Sequence, residues 1–378
     1  MTDSTLGRIP ATAALQRLLH HAGVAVSEPL LFLQAGGIGA GMFAFLYEKE
    51  NFASLFLAGR HLWADDLAYL TAAAQRLGHT VAVKETTGAK TAEQQLRDAL
   101  SGGGPVIAWV DMAHLPHRAM PARFSGGGYH VITVQSIDGD SALIHDVAPT
   151  PITISLRDLS SARGRIAKFR NRLLWLSGAA KRQPTPQAVI TDALRSCATT
   201  LTKAKMANFR LDAFLELADR IDGRGGKESW DVIFPAGPRL WSALTSLHEY
   251  IERYGTGGGL CRSIFAEGLR EAGRPEDAAR YAALGARWSA LAATALPVDI
   301  PVCLEASELL ARRSALLRAA APIAEVRACW ERLGKLAQEV QKKFPLPVER
   351  VQALRTDLAA QLRLIHADEV TALAGLGR

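Results

Sequence analysis

Cysteine is scarce and unevenly placed. The 378 residues hold four, Cys197, Cys261, Cys303 and Cys329, all in the second half and none in a CxxC pair. That spacing excludes a disulfide framework and a cysteine zinc site, and makes the cytoplasm the expected compartment. The opening residues, MTDSTLGRIP, lack the basic-then-apolar pattern of an export signal. A long basic stripe and a nucleic-acid motif are missing too. The net charge of +7 is dispersed, and its densest stretch, Arg163–Trp175 (RGRIAKFRNRLLW), reads as a solvated basic face. Nucleic acid is therefore not an expected partner. A mild positive field suits an acidic partner instead, such as a carrier protein or a phosphate-bearing ligand. Long apolar runs are nearly absent. Leu30–Tyr47 (LLFLQAGGIGAGMFAFLY) carries no charge, but four glycines and Gln34 interrupt it and Pro29 precedes it. It reads as a buried strand running into a glycine loop, not as a membrane span.

What is present is a packable chain, 48% hydrophobic and 21% charged, in two halves of different pattern. The first half mixes helices and strands. Thr12–Ala22 reads as a helix, with Ala14, Leu15, Leu18 and Leu19 on one face, Pro10 suited to its first turn and Gly23 to its stop. A turn at Ser27–Glu28–Pro29 leads to the glycine run. Helical patterns follow over Asp65–Leu77 and Thr91–Leu100, and strand patterns over Thr80–Glu85, Pro105–Asp111 and Leu173–Leu176. His130–Ile137 and Ser141–Asp146 form a hairpin around Asp138–Gly139–Asp140. Residues 1–178 are expected to be an α+β domain. Residues 179–187, AAKRQPTPQ, read as a linker. From 188 to 378 the pattern is almost all helix, about seven to nine segments, with no repeat period.

The hairpin holds the chemistry. His130 opens one strand and Asp146 ends the other, so the two can fall side by side. A carboxylate on one imidazole nitrogen fixes the tautomer and stabilises imidazolium. Cysteine or serine acyl-transfer enzymes set out base and carboxylate in this way. Their nucleophile normally sits at a helix N-terminus, where the dipole and the histidine stabilise a thiolate. The first helix here opens GRIPATAALQRLLHHAG, with neither cysteine nor serine. Other features are weaker. Asp111, His114 and His117 follow DxxHxxH spacing, but Pro116 breaks the helical face that would present them to a metal. Gly36–Gly41 lacks the GxGxxG spacing of dinucleotide sites, and reads as a loop letting backbone approach a ligand or a helix. Glu28 orients a substrate amine, caps a helix or forms a structural pair. The glycines at 255–259 precede a helix whose start carries Arg262, so free N–H groups and a guanidinium could hold an anion there; a plain helix start is the alternative.

These residues together resemble the family of the butirosin-biosynthesis acyltransferase. Ile9, Pro10, Ala11, Thr12, Ala13, Ala14 and Leu15, then Leu18, Leu19, Gly23, Ser27–Glu28 and LLFLQAGGIGAG, follow its opening pattern. Gly128–Tyr129–His130–Val131 and Asp146 follow its base and carboxylate. NFRLDAFLELADRI, YGTGGGLCRSIFAEGLREAG and Trp288 follow its helical part. The resemblance implies a papain-like N-terminal domain, an all-α C-terminal domain, and transfer of an acyl group from a carrier protein to an aminoglycoside amine. The departure is at the nucleophile. Pro10 stands where the family carries cysteine, and Ile9 where it carries histidine.

Three expectations follow. His130, oriented by Asp146, acts as a direct general base on an acyl, thioester or amide substrate. Or Thr12 or Cys261 substitutes as nucleophile. Or the chain is a non-catalytic partner that binds a carrier protein or a biosynthetic enzyme. His130 and Asp146 are the candidate catalytic pair. Pro10, Thr12, Glu28, Gly37, Gly39, His114, Gly258 and Arg262 are the candidate substrate-binding positions. Acyl carrier protein or a small acyl compound is the expected partner, with self-association possible, and neither metal nor cofactor is expected.

Overall fold

The computed structural model describes residues 7–48, 52–181 and 183–376. Its strands are β1 (Ile38–Tyr47), β2 (Phe52–Arg60), β3 (His79–Lys84), β4 (Val106–Asp111), β5 (Tyr129–Asp138), β6 (Ser141–His145), β7 (Ile152–Ser155) and β8 (Leu173–Ala179). In the mixed part of the chain the helices are α1 (Pro10–His21), α2 (Glu28–Gln34), α3 (Asp66–Arg76), α4 (Ala89–Leu100) and α5 (Leu156–Gly164). Beyond these come α6 (Pro186–Lys203), α7 (Ala213–Ile221), α8 (Trp230–Ile233), α9 (Pro238–Glu252) and α10 (Arg262–Glu271). The last four are α11 (Pro275–Ala295), α12 (Pro301–Arg318), α13 (Ile323–Lys342) and α14 (Val348–Leu376). Among the described residues no helix is long and apolar enough to cross a membrane.

The chain divides into two compact units that are not continuous in sequence. One takes the residues up to Leu31, Asp66–Pro186 and Arg312–Glu331. The other takes Phe32–Asp65, Gln187–Ala311 and the residues from Arg332 onward. The passage near 179–187 is thus one of several between units. Part of that segment is tied down: Ala180 N–H donates to the Gly78 carbonyl at 2.7 Å, and Gln183 also reaches that oxygen.

The first unit is built on a six-stranded antiparallel sheet of order β3-β8-β4-β5-β6-β7. β4 is buried at all six positions, so the sheet centre is covered on both faces. α1 lies against β5 and pairs with α3, while α4 pairs with α5. Leu15, Leu18 and Leu19 of α1 are buried, at about 2 kcal/mol each for complete burial. Pro10 occupies the first helical turn, where its missing N–H has no intrahelical partner to lose.

The second unit contains the β1–β2 ribbon and the helical part of the chain. β2 packs on α9 and β1 on α7, and α11 contacts α9, α10 and α14. The Leu30–Tyr47 run is not a strand entering a glycine loop. It is the helix α2, a turn, and then strand β1. Ser27 Oγ accepts from Leu30 N–H at 3.2 Å and Pro29 sits in the first turn, so Ser27–Glu28–Pro29 starts a helix. Gly39 lies inside β1, where a side chain would collide with the Arg60 carbonyl, and Gly37 has φ +63 against the Phe265 ring.

Candidate functional site

His130 and Asp146 meet because of pairing register. In the β5–β6 hairpin, Asp138 pairs with Ser141 and Thr133 with His145, with a bulge between Val134 and Ser136. The bulge shifts the pairing phase by one residue and so decides which side of β6 faces His130. Continuing that register sets Asp146 opposite Ile132, two residues along from His130. The glycines before His130 have their own reason. Asp111 Oδ2 accepts from Gly126 N–H at 2.6 Å and its Oδ1 from Ala113 N–H at 3.0 Å. A side chain on Gly128 would occupy the place of the Asp111 carboxylate and Met112.

The imidazole Nε2 of His130 is 2.7 Å from Asp146 Oδ1. An ionised carboxylate only accepts, so the proton of this contact is on Nε2 and Nδ1 carries the lone pair. Among the described residues no hydrogen bond engages Nδ1. His130 is only 6% exposed.

Two residues not singled out for this pair complete the arrangement. Arg118 forks onto Asp146, Nε to Oδ2 at 2.7 Å and Nη2 to Oδ1 at 2.8 Å. The same Nη2 lies 2.9 Å from His130 Nε2. His117 donates from Nε2 to Asp146 Oδ2 at 2.8 Å, while its Nδ1 is buried without a partner. Both come from the short 3-10 turn Pro116–Arg118 that follows β4.

The electrostatics follow from this crowding. Burial alone would raise the Asp146 carboxyl. The Arg118 guanidinium and the hydrogen bonds from both histidines hold it well below the usual carboxylate range. Burial pushes the His130 imidazole down, and Arg118 beside it pushes further, against the pull of Asp146. The result is an imidazole that stays neutral near neutral pH, with the lone pair on Nδ1.

The other expected site residues have surroundings of their own. Glu28 accepts from Ile9 N–H at 2.7 Å and Arg8 N–H at 2.9 Å, so capping is the role its geometry shows. Its carboxyl is raised by burial and partly lowered again by those two N–H groups. Thr12 is buried and bonded to the Tyr69 hydroxyl at 2.8 Å. His114 bridges Ser161 and Ser125, each at 2.8 Å. Asp111, His114 and His117 therefore turn to three different partner sets. Among the described residues no group of three or more His, Cys, Asp or Glu is arranged to hold a metal.

Gly37, Gly39, Gly258 and Arg262 belong to the second unit. Arg262 is fully buried and donates to Glu369 at 2.5 Å and to the Leu260 carbonyl at 2.8 Å, so a carboxylate of its own chain takes the anion role. Cys261 is buried at φ +71, and burial pushes its thiol up to about 12. That is the opposite of an activated nucleophile.

His117 and Arg118 were legible as residue types but not as a site. A His-Arg pair after a proline, in a loop between two apolar strands, is the signal that points to them.

Two family models match the chain. Residues 10–147 match the one described as butirosin biosynthesis protein H, N-terminal. Residues 155–298 match a domain of unknown function, DUF4872. The first match runs from Pro10 to just past Asp146. Residues 299–378 lie outside both. No curated protein matches the chain.

Proposed function

We propose that the chain, whose residues 10–147 match the butirosin biosynthesis protein H N-terminal model, works in antibiotic or related specialised-metabolite biosynthesis, acting on an acyl, thioester or amide group. The observation that carries this reading is the 2.7 Å contact between His130 and Asp146, with the imidazole held neutral. In the proposed reaction His130 Nδ1 takes a proton from an amine, a water or a carbon acid of the bound substrate. Asp146 and Arg118 fix the ring. No covalent acyl-enzyme forms at the α1 N-terminus, since Pro10 offers no nucleophilic atom there. The fold of the first unit is then papain-like in arrangement, with base and carboxylate kept and the thiol gone. An acyl carrier protein is the proposed donor.

A second reading is favoured by the depth of the site. His130 is nearly sealed and Pro10 replaces the thiol, as suits a partner that keeps the fold for binding alone. One experiment separates the two. A strain deleted for the gene is complemented with wild type or with His130→Ala, and its metabolites are profiled. The base reading expects His130→Ala to accumulate the same precursor as the deletion. Full restoration of the product by His130→Ala, with the protein folded and present, would sink it in favour of the binding partner.

A further inference from the structure

Trp330 lies outside both matched segments yet reaches the candidate site. It sits on the part of α13 that belongs to the first unit, and its indole Nε1–H donates to the Arg118 carbonyl at 3.0 Å. Its ring is held on two sides. The Arg313 guanidinium lies over it at 4.0 Å, and the Phe124 ring is 5.4 Å away. The Arg123 guanidinium lies over Phe124 in turn, at 4.8 Å. Cation–π pairs of this kind hold a ring in place more firmly than apolar contact alone.

The carbonyl that Trp330 grips is a telling one. Arg118 is the last residue of the turn Pro116–Arg118, and the next residue, Ala119, has φ +47. Such a left-handed conformation is strained for a non-glycine residue, so neighbouring structure has to hold it. The Trp330 hydrogen bond falls on the peptide between those two residues. It therefore fixes the backbone from which the Arg118 side chain forks onto Asp146 and abuts His130.

We propose that Trp330 is a positioning residue: through the Arg118 carbonyl it sets the guanidinium that holds Asp146 and His130, so that the segment Arg312–Glu331 completes a site otherwise built from residues 116–146. The proposal rests on the general-base reading only in taking His130 as the working imidazole. Its test reads the imidazole itself and not turnover, so either can fail alone.

The groups facing His130 are Arg118, Asp146 and His117. The elements packed on β5 add Asp111 from β4, His145 from β6, Arg17, His20 and His21 from α1, and Lys90, Glu93, Arg97 and Asp98 from α4. Asp111 is occupied by backbone N–H groups, His145 by Gln135 and Arg17 by the Ala148 carbonyl. Of these, Arg118 alone is tied to Trp330.

The full chain, labelled on its histidine rings, is titrated by NMR, with the His130 signal identified by its loss in His130→Gln. Trp330→Phe keeps a ring for Arg313 and Phe124 but removes the N–H. The expected result is an upward shift of the His130 midpoint by about half a pH unit, as the guanidinium loosens. Arg118→Gln should shift it the same way and further, and Trp330→Phe should add little on top. Ala119→Gly, which relieves the left-handed strain, should bring the Trp330→Phe midpoint back toward wild type. If Trp330→Phe does not fold, Phe124→Leu gives the same reading with a smaller shift, since Phe124 is 38% exposed and tolerates change. A folded variant with an unmoved His130 midpoint overturns the proposal and leaves Trp330 a packing residue.

Discussion

Each unit buries one arginine against one carboxylate, and the two pairs serve different ends. In the second unit Arg262 and Glu369 are sealed from solvent. Glu369 also accepts from Trp288 Nε1–H at 3.0 Å, and the guanidinium lies 5.7 Å from both the Phe214 and Trp288 rings. None of those neighbours titrates near neutral pH. In the first unit Arg118 and Asp146 form the same kind of pair, but two imidazoles share the carboxylate. The charge pair is common to both. What stands beside it decides whether it only holds helices together or also sets the protonation of an imidazole.

The sharpest way to break the comparison is to remove each acid in turn. Glu369→Gln strands the Arg262 charge in a dry core and should cost about 3–5 kcal/mol, read from the denaturant midpoint. His130 titration should stay as it was. Asp146→Asn should cost about 3 kcal/mol and should also move His130. If Glu369→Gln lost less than about 1 kcal/mol, the structural reading of that pair would fail.

A smaller effect should appear with pH. His130 has its folded pKa lowered, so it contributes stability that is complete above the unfolded imidazole value of 6.5 and is lost as pH falls toward the folded one. His145, pushed down to about 4 by partial burial and by Arg17, adds to the same slope. Asp146, also lowered, contributes above the ordinary carboxyl value of 3.8 and fails only below it. Melting temperature followed from pH 8 to pH 4 should fall below about 6.5 in the wild type. It should fall less steeply in His130→Gln, with the rest of the slope kept by His145 and by His248, which burial also lowers. Identical slopes would mean that His130 is not the suppressed group.

The smallest effect expected is none. Burial raises Cys197 and Cys261 to about 12 and Cys303 to about 11. Iodoacetamide at neutral pH should leave them unlabelled in the native protein and label them after denaturation, as mass spectrometry of the peptides would show. Fast labelling of Cys261 alone, with loss of function, would return it to the list of nucleophiles.

Some of this was legible in the residues. The hairpin carrying His130 and Asp146 was, because alternation, a turn triplet and two chemically unusual residues coincided there. Most helices from α6 on were legible, since long helical periods are hard to mistake; the single turn of α8 was not, and the first turns of α12 were missed. What escaped lacked a period. Pro116–Arg118 is one 3-10 turn, too short for any pattern, and its neighbours suggested a metal spacing instead. Strand β2 was missed beside a glycine run that drew attention to itself. Ser27–Glu28–Pro29 was read as a turn although serine followed by a first-turn acid and proline is a helix-start signature. Trp330 could not have been placed at all, because its partner carbonyl lies more than two hundred residues upstream.

The order in which the chain is made gives the unit division a further meaning. The polypeptide passes between units after residues 31, 65, 186, 311 and 331. Synthesis runs from the N-terminus, and domains generally fold as units when they are complete. The sheet that carries His130 and Asp146 is fully synthesised by residue 179, but its unit still lacks Arg312–Glu331. On the ribosome the site must therefore wait for most of the protein to emerge before Trp330 can reach Arg118. A message truncated after residue 298 would encode both matched domains and still leave that hydrogen bond unmade.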